Sequence, residues 1–578
     1  MDYREIYNKW LESPYVTEED KAELRVMSDD DIHEAFYKTA EFGTGGMRGI
    51  MGLGTNRLNK YMIRLAAKGL ADLINSRPAR DDGRFSLPVH KVVVAYDTRN
   101  NSAAFAEETA RVLAANGIRA YLFDRPSPVP LLSFAVRDLG ADGGVVITAS
   151  HNTREYNGFK AYDETGCQMQ PDLTEQIAAN MDAIEDPLAI QLANMDDAII
   201  DTRLIVPTGQ DIIDRFLEAI KTCGMPNLSE EEIKAEAAGL KVYYTPLHGG
   251  GRDYVMDALK DAGFENVNLV PDQARFDGDF PSVKKPNPED SAALEMAVNM
   301  AFAQGADLVI GTDPDCDRVG AAVINKNAVG DQPKATYITG NQMGVLLIDY
   351  LCRIAGENNE NKRLITTIVT SALGPMIAKD HGIAVSYVLT GFKYIGGIMN
   401  QMEKAEKLEE FFMGYEESYG YLMGPHARDK DGVSAALTIC RMAAYHKARG
   451  KNLVNVLNDI YMKYGFWFDS QESFVFEGSE GEETMRCLMK SFREMEGRIF
   501  GGFASEVRYG DFLNEGSGLP KADVLKYLFR DGSWVAIRPS GTEPKIKVYY
   551  CMRGDSAIEA ADRQAEASAC IHRLTDKF

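Results

Sequence analysis

Thr148-Ala149-Ser150-His151-Asn152 directly follows an apolar run, Gly143-Gly-Val-Val-Ile147, that predicts a buried strand. The chain continues into Tyr156-Asn-Gly-Phe-Lys160. A serine at the end of a strand is a weak nucleophile unless its neighbours activate it, and here His151 offers a base and Lys160 a cation. The same residues also suit a turn that only caps the strand. This stretch alone leaves both interpretations open.

The segments around this loop alternate between strand and helix. Strands are predicted over Lys91–Tyr96 and Arg119–Phe123, with a helix over Ser102–Asn116 between them, which indicates an α/β domain. Two further units of similar size and pattern follow, which suggests duplication. A last unit has predicted strands near Ser473–Phe476, Trp534–Arg538 and Lys545–Cys551 before a closing helix. We expect domains at 1–207, 208–326, 327–463 and 464–578.

The composition narrows the possible partners and location. The chain has 578 residues, with 63 Lys+Arg against 86 Asp+Glu and a net charge of −23. Such a balance argues against nucleic acid or an anionic membrane as a partner, so an anionic substrate needs a local basic pocket. None of the eight cysteines has C-x-x-C spacing, which is typical of reduced thiols in the cytoplasm. No apolar stretch is long enough to span a bilayer, and the N-terminus lacks the apolar core of a signal peptide.

Three aspartates at alternate positions, Asp313, Asp315 and Asp317, lie between two apolar runs that predict strands. Carboxylates so close together repel one another unless a cation is present. An EF-hand is excluded, because Arg318 and Ile324 stand where that loop needs Gly and Glu. Oxygen ligands without Cys or His favour Mg²⁺ over zinc. We expect a Mg²⁺ site with room for a phosphate, which Ser150 could accept or carry.

Three other turns have groups that suit an anion or a sugar. Arg538-Pro-Ser540-Gly541-Thr542 offers a guanidinium, two hydroxyls and a glycine, although it also suits a plain hairpin. The glycine-rich loop Phe42–Gly49 contains Arg48 but fits no nucleotide-binding pattern. Glu416 and Ser418, flanked by tyrosines, could bind sugar hydroxyls or cap a helix.

In their order along the chain, these motifs resemble those of the α-D-phosphohexomutase superfamily. Within it, the chain is most similar to the large phosphoglucomutases, a group that also includes phosphopentomutase-type members. Thr148–Asn152 is similar to the family's phosphoserine loop, Asp313–Arg318 to its metal loop, Gly414–Ser418 to its sugar loop and Arg538–Thr542 to its phosphate loop. The resemblance covers nearly the whole chain. It implies three successive α/β domains of similar topology, each a mixed sheet between helices, plus a C-terminal α+β domain, all around a central cleft.

The resemblance also implies a reaction. An intramolecular phosphotransferase of the isomerase class would interconvert glucose 1-phosphate and glucose 6-phosphate through a phosphate on Ser150 and a glucose 1,6-bisphosphate intermediate and activator. Ser150, Asp313, Asp315 and Asp317 would bind Mg²⁺. The catalytic residues implied are Ser150, His151, Lys160 and Arg48, with His151 and Lys160 both open as the acid–base group. The substrate-binding residues implied are Arg318, Thr390, Gly391, Glu416, Ser418, Lys430, Arg538, Ser540, Gly541 and Thr542.

Several alternatives stay open at this point. A phosphomannomutase or phosphopentomutase is the nearest, because Tyr415 extends the sugar loop relative to a shorter form and leaves the sugar hard to assign. A sugar-bisphosphate synthase would use the same serine with an external donor. A serine phosphatase would not need the turn at Arg538, and a non-catalytic scaffold would not need Ser150 and the aspartates. The expected partner is a sugar monophosphate, and the expected state is a monomer or small homo-oligomer.

Overall fold

The computed structural model describes residues 2–577 apart from 44, 80–88, 331, 357–358, 477–480, 502, 505, 515, 517 and 541–544. Within these residues lie four β-sheets in succession along the chain, each covered by its own helices. The predicted fold class is therefore confirmed. Gly541 and Thr542 lie outside the described residues. No helix in the described ranges is both long and apolar enough to cross a membrane.

The first unit opens with short helices that bury Trp10 and Phe36 and continues into a mixed sheet of order β1-β5-β4-β2-β3-β6. Only β5 runs antiparallel to its neighbours β4 and β1. β4 is buried along its whole length, as expected of a strand between two helical layers. The elements of the first unit are α1 Tyr3–Glu12, α2 Glu18–Arg25, α3 Asp29–Phe36, β1 Met47–Ile50, α4 Lys60–Asn75, β2 Lys91–Tyr96, α5 Ser102–Ala115, β3 Arg119–Phe123, α6 Val129–Asp138, β4 Gly143–Ile147, β5 Tyr156–Asp163, α7 Pro171–Asp182, α8 Met195–Ile200 and β6 Ile205–Thr208.

The second unit has a mixed sheet of order β11-β10-β9-β7-β8. Its elements are α9 Gln210–Ile220, α10 Glu230–Gly239, β7 Lys241–Thr245, α11 Arg252–Asp261, β8 Asn266–Leu269, α12 Ser291–Ala303, β9 Leu308–Thr312, β10 Val319–Ile324 and β11 Ala335–Ile338. β11 pairs with β10 although it follows residue 326, where we expect the domain to end. This pairing places β11 in the sheet of the second unit, and the domain bounds themselves stay a prediction.

The third unit has a sheet of order β13-β12-β14-β15, in which only the β14–β15 pair is antiparallel. Its elements are α13 Gly340–Ala355, β12 Arg363–Thr367, α14 Leu373–Asp380, β13 Ala384–Val388, α15 Phe392–Lys404, β14 Phe411–Glu416, β15 Gly420–Leu422, α16 Gly432–Ala448 and α17 Leu453–Tyr464. The helix α16 is buried along most of its length and packs against α10 and α11 of the second unit.

The fourth unit has an antiparallel sheet of order β16-β20-β19-β18-β17, with helices on it. The sequence indicated β19 and β20 but not β17 or β18. The elements of the fourth unit are β16 Phe466–Val475, α18 Gly481–Met495, β17 Val507–Asp511, β18 Leu525–Phe529, β19 Trp534–Pro539, β20 Lys545–Gly554 and α19 Ala557–Thr575. Its core, around Phe500, Tyr527 and Ile571, forms a cluster of its own.

Candidate functional site

Each of the four candidate loops lies in a different sheet, between two antiparallel strands. Ser150 lies between β4 and β5, the aspartates between β9 and β10, Ser418 between β14 and β15, and Ser540 between β19 and β20. In the first three units this antiparallel pair adjoins a run of parallel strands, and in the first two a further antiparallel strand, β1 or β11, lies beyond it. The repeated pattern supports the duplication that the sequence suggested.

Each of the first three loops holds a non-glycine residue in the left-handed backbone region. The φ angles are 53° at Ser150, 51° at Cys316 and 62° at Tyr419. Such residues cost free energy and persist where the surrounding contacts determine the backbone, which is typical of functional loops. The loops are therefore built into fixed shapes.

Ser150 lies at the bottom of its loop, almost fully buried. Its amide donates to Thr148 Oγ1 at 2.8 Å, and its hydroxyl donates to Asp313 Oδ2 of the second unit at 2.9 Å. The Nδ1 atom of His151 lies 3.2 Å from the same hydroxyl. Burial, together with the charges of Arg318 and Arg48, holds the pKa of His151 well below its usual value. His151 is therefore neutral near pH 7, although the same shift makes its ring a weaker base.

The Ser150 loop is held from beneath by Arg99, which sequence reasoning did not identify as a site residue. Arg99 is buried at the end of β2 and donates to the carbonyl oxygens of residues 150, 152, 153 and 156 at 2.6, 2.5, 2.9 and 3.1 Å. Asp97 lies 3.3 Å from its Nε, and Phe280 of the second unit stacks on the guanidinium at 4.9 Å. The sequence shows only that Asp97 and Arg99 follow an apolar strand; the parallel pairing of that strand with β4, which brings Arg99 to the loop, is seen only in the structure.

The aspartates converge as the sequence predicted. One carboxylate oxygen from each of Asp313, Asp315 and Asp317 lies within 4.8 Å of the others, and all three side chains are buried. Burial and the two neighbouring carboxylates raise the pKa of Asp313 well above its usual value. Asp315 Oδ1 and Asp317 Oδ1 find no hydrogen-bond partner among the described residues. A hard divalent cation would relieve the repulsion and use these oxygens, so the residues fit a metal ion.

Two lysines from different domains approach these carboxylates. Lys160 Nζ of β5 lies 2.8 Å from Asp315 Oδ2, and Lys430 Nζ of the third unit lies 3.1 Å from Asp317 Oδ2. Burial opposes ionisation of Asp315, but Lys160 outweighs it and lowers the pKa. Burial likewise opposes the charge of Lys430, whereas Asp317 and Asp429 raise its pKa. Three domains thus meet at the metal loop.

Two arginines lie beside the Ser150 loop. Arg48 Nη1 donates to Asn152 Oδ1 at 3.0 Å. Its strand β1 pairs with β5 so that Arg48 faces Gly158, where an added Cβ would lie 2.6 Å from Thr148 O. Glycine at 158 therefore permits this close approach. Arg318 is ion-paired with Glu289, which follows the Pro-rich connector and was not predicted from sequence.

The predicted sugar-binding residues lie in the third unit. Ser418 Oγ donates to Glu416 Oε1 at 3.0 Å, and burial raises the pKa of Glu416. Thr390 Oγ1 is buried and has no partner among the described residues, so it can bond an incoming hydroxyl. Gly391 precedes α15 with a φ of 120°, which side chains rarely adopt. The charges of Lys430 and Arg318 act against burial and lower the pKa of Glu416, although the effect of burial is larger.

The predicted phosphate-binding turn is partly described. Arg538 lies near the end of β19, directly across from Lys547 of β20. The amide of Ser540 donates to Lys545 O at 2.8 Å and closes the turn. Burial raises the pKa of Tyr394 of α15, and the nearby charge of Arg538 partly offsets this rise. The turn therefore presents positive charge toward the third unit, while Gly541 and Thr542 lie outside the described residues.

Comparison with known families agrees with this arrangement. Domains I, II and III of phosphoglucomutase/phosphomannomutase, each described as alpha/beta/alpha, match residues 39–187, 214–326 and 339–464. The C-terminal domain of the same proteins matches residues 475–568. The matches follow one another in the family's order, and each contains one of the candidate loops.

Individual proteins show the same likeness. A phosphoglucomutase from Staphylococcus epidermidis is 36% identical over 536 residues, 91% of this chain and 93% of that protein. The fold is shared with a putative phosphomannomutase from Thermus thermophilus, with a TM-score of 0.66 and 21% identity over 93% of this chain and 99% of the other. Paramecium parafusin, a phosphoglucomutase, has a TM-score of 0.68 and 17% identity over 93% and 95%. The chain belongs to the phosphoglucomutase/phosphomannomutase family of the α-D-phosphohexomutase superfamily.

Proposed function

We propose that this protein is an α-phosphoglucomutase, which interconverts glucose 1-phosphate and glucose 6-phosphate by way of a phosphate on Ser150. The observation that carries the proposal is the hydrogen bond of 2.9 Å from Ser150 Oγ to Asp313, in a strained loop facing three buried carboxylates. The 36% identity to a phosphoglucomutase over 91% of the chain supports glucose as the sugar.

In the proposed reaction the bond between phosphorus and Ser150 Oγ breaks as phosphorus bonds to a free hydroxyl oxygen of the sugar monophosphate. The sugar hydroxyl loses its proton to a base, and Ser150 Oγ ends as a hydroxyl. The product is glucose 1,6-bisphosphate, and transfer of its other phosphate to Ser150 completes the isomerisation. His151, which is neutral near pH 7, and Lys160 are the candidates for moving the proton. The same bisphosphate would act as the activator that loads Ser150.

The cofactor that we propose is Mg²⁺, held by Asp313, Asp315 and Asp317 together with a phosphate oxygen on Ser150. A bound Mg²⁺ would neutralise charge on the phosphate. Lys160 already lies 2.8 Å from Asp315, and Lys430 lies 3.1 Å from Asp317. These cations limit the repulsion between carboxylates and hold the loop in shape for the ion.

The substrate is proposed to lie between the third unit and the turn of the fourth. Thr390, Gly391, Glu416 and Ser418 would bind the sugar, because they combine a buried unpaired hydroxyl, a glycine backbone and a carboxylate paired with a hydroxyl. Arg48 and Arg318 would contact the reacting phosphate. The residues proposed for the distal phosphate are Lys430, Arg538, Ser540, Gly541 and Thr542.

Substrate preference tests the proposal. We expect kcat/KM with glucose 1-phosphate to exceed the values with mannose 1-phosphate and ribose 1-phosphate, measured with Mg²⁺ and glucose 1,6-bisphosphate. A clear preference for the mannose or pentose phosphate would assign the protein to a phosphomannomutase or phosphopentomutase instead. Accumulation of bisphosphate as the main product would assign it to a bisphosphate synthase.

The cellular location that we propose is the cytoplasm. All eight cysteines, each in the described part of the chain, are free thiols, and all but Cys487 are buried. Reduced thiols are usual in that compartment. The expected monomer or small homo-oligomer stays a prediction, which light scattering after size-exclusion chromatography would test.

A further inference from the structure

A cavity of about 800 Å³ lies between the third and fourth units, and none of its described lining residues belongs to the candidate site. Its volume is within the range of roughly 300–1,000 Å³ that small-molecule pockets occupy. The walls are mostly apolar and aromatic. Six residues illustrate this, three from each unit: Ile368, Met376, Tyr387, Phe512, Leu528 and Trp534.

The charged residues of this cavity are all basic. Lys379, Arg508 and Lys526 line it, and none of the described lining residues is acidic. The protein as a whole has 86 acidic against 63 basic residues, so this local excess of cations runs against its composition. An apolar cavity of positive charge is complementary to an anion with an apolar body.

Lys526 is the cation whose ammonium group contacts cavity walls from both units. Its Nζ donates to the carbonyl oxygen of Ile368 at 2.5 Å and lies 4.2 Å from the centre of the Trp534 ring. No carboxylate among the described residues forms an ion pair with it, and burial lowers its pKa to about 8. An ammonium group has three donors, whereas a carbonyl and a ring face provide only partial negative charge. Ammonium groups in such surroundings are stabilised by an anionic partner.

We propose that this cavity binds a small organic anion with an aromatic body. The anionic group would bond to Lys526, and the ring would pack between Tyr387 and Met376 on one side and Phe512 and Leu528 on the other. Because the walls come from two units, the ligand would contact both at once. This site is separate from the proposed mutase reaction and does not depend on it.

The test is a calorimetric titration of the full-length protein with naphthalene-2-carboxylate and with its neutral analogue naphthalene-2-carboxamide. We expect one molecule of the carboxylate to bind per chain, about tenfold or more tightly than the amide, because a hydrogen bond to a charged group is worth about one decade in affinity or more. The Lys526→Met variant should bind both compounds equally. A Leu528→Trp variant, which narrows the cavity and keeps the charge, should bind both compounds more weakly than the unmodified protein.

Lys447→Met is the matched control, because Lys447 lines a different cavity between the second and third units. Its binding of the carboxylate should equal that of the unmodified protein. The proposal is overturned if the unmodified protein shows no saturable binding, if it binds the amide as well as the carboxylate, or if Lys526→Met keeps the preference. Should Lys526→Met fail to fold, unchanged binding by Leu528→Trp would overturn it alone.

Discussion

Arg99 shows that the shape of the Ser150 loop depends on a side chain outside the recognisable motif. Its guanidinium donates to the carbonyl oxygens of four residues between Ser150 and Tyr156. A lysine would keep the positive charge opposite Asp97 but has a single ammonium group and no planar fork. The loop would then lose several of its fixed contacts while the buried charge pair remained.

For Arg99→Lys we expect kcat to fall about 10²-fold with little change in the KM for glucose 1-phosphate, because a displacement of about 1 Å at a reacting group has an effect of that size. Steady-state kinetics measures both values. Arg111→Lys is the control, since Arg111 donates to a single carbonyl, Ala193 O, away from the site. An unchanged kcat in Arg99→Lys would show that the loop keeps its shape without the fork.

Asp315 carries one buried oxygen that has no hydrogen-bond partner in the described part of the chain and one that accepts from Lys160. Replacing it with asparagine preserves the shape and removes one of the three charges available to a cation. We expect Asp315→Asn to lower kcat/KM by at least about 10³-fold, since metal stabilisation is worth several kcal/mol, and to require more Mg²⁺. Titration of activity with Mg²⁺ measures this.

Asp307→Asn provides the comparison for Asp315→Asn. Asp307 precedes β9, at the opposite end of the strand that leads to the aspartates, and pairs with Lys326 and Lys447. We expect its Mg²⁺ dependence to match that of the unmodified protein. If the two variants show the same loss, the effect comes from the fold of the second unit and the metal assignment is wrong.

At the scale of elements, helix α16 begins beside the metal loop and is stabilised by Asp431. That carboxylate accepts from the amides of Val433 and Ser434 and from His426 Nε2 at 2.7 Å, while Gly432 N donates to Cys316 O. Burial opposes protonation of His426, but the bond to Asp431 outweighs it and raises the pKa to about 9. Between pH 6.5 and about 9, His426 is thus charged in the folded protein but neutral in the unfolded chain.

Because the folded-state pKa of about 9 lies above the ordinary value of 6.5, His426 stabilises the fold fully below pH 6.5 and loses this effect as the pH rises to 9. The lost contribution is at most about 3 kcal/mol. We expect the Tm difference between the unmodified protein and His426→Gln to be larger at pH 6 than at pH 9.5. Thermal unfolding at both values measures it, and an equal difference at both would contradict the assigned pKa shift.

Sequence patterns predicted those strands that carry continuous apolar runs. β3 was predicted with its observed bounds and β4 as a buried run. The run Leu364–Thr370 predicts a third such strand, and the observed strand, β12, ends at Thr367. β17 and β18 were missed because Val507–Asp511 and Leu525–Phe529 mix charged, aromatic and apolar residues without a long apolar run. Their pairing in the sheet, not their own composition, makes them strands.

At the scale of the whole molecule, the candidate site is assembled at the metal loop between β9 and β10. Ser150 and Lys160 reach it from the first unit, and Lys430 reaches it from the third. The motifs and the types of their residues could be predicted from sequence, because each loop follows an apolar strand. The partners Arg99 and Glu289 could not, because their roles depend on contacts between segments far apart in the chain.

The central claim is that Ser150 carries the phosphate that is transferred. Its most direct test is mass spectrometry of the purified protein after incubation with glucose 1,6-bisphosphate and Mg²⁺ and removal of free sugar phosphates. We predict one phosphate per chain, located on Ser150, that is lost on addition of glucose 1-phosphate, and none on a folded Ser150→Ala variant, which should also lack turnover. An active protein without phosphate on Ser150, or near-normal turnover by Ser150→Ala, would contradict the account.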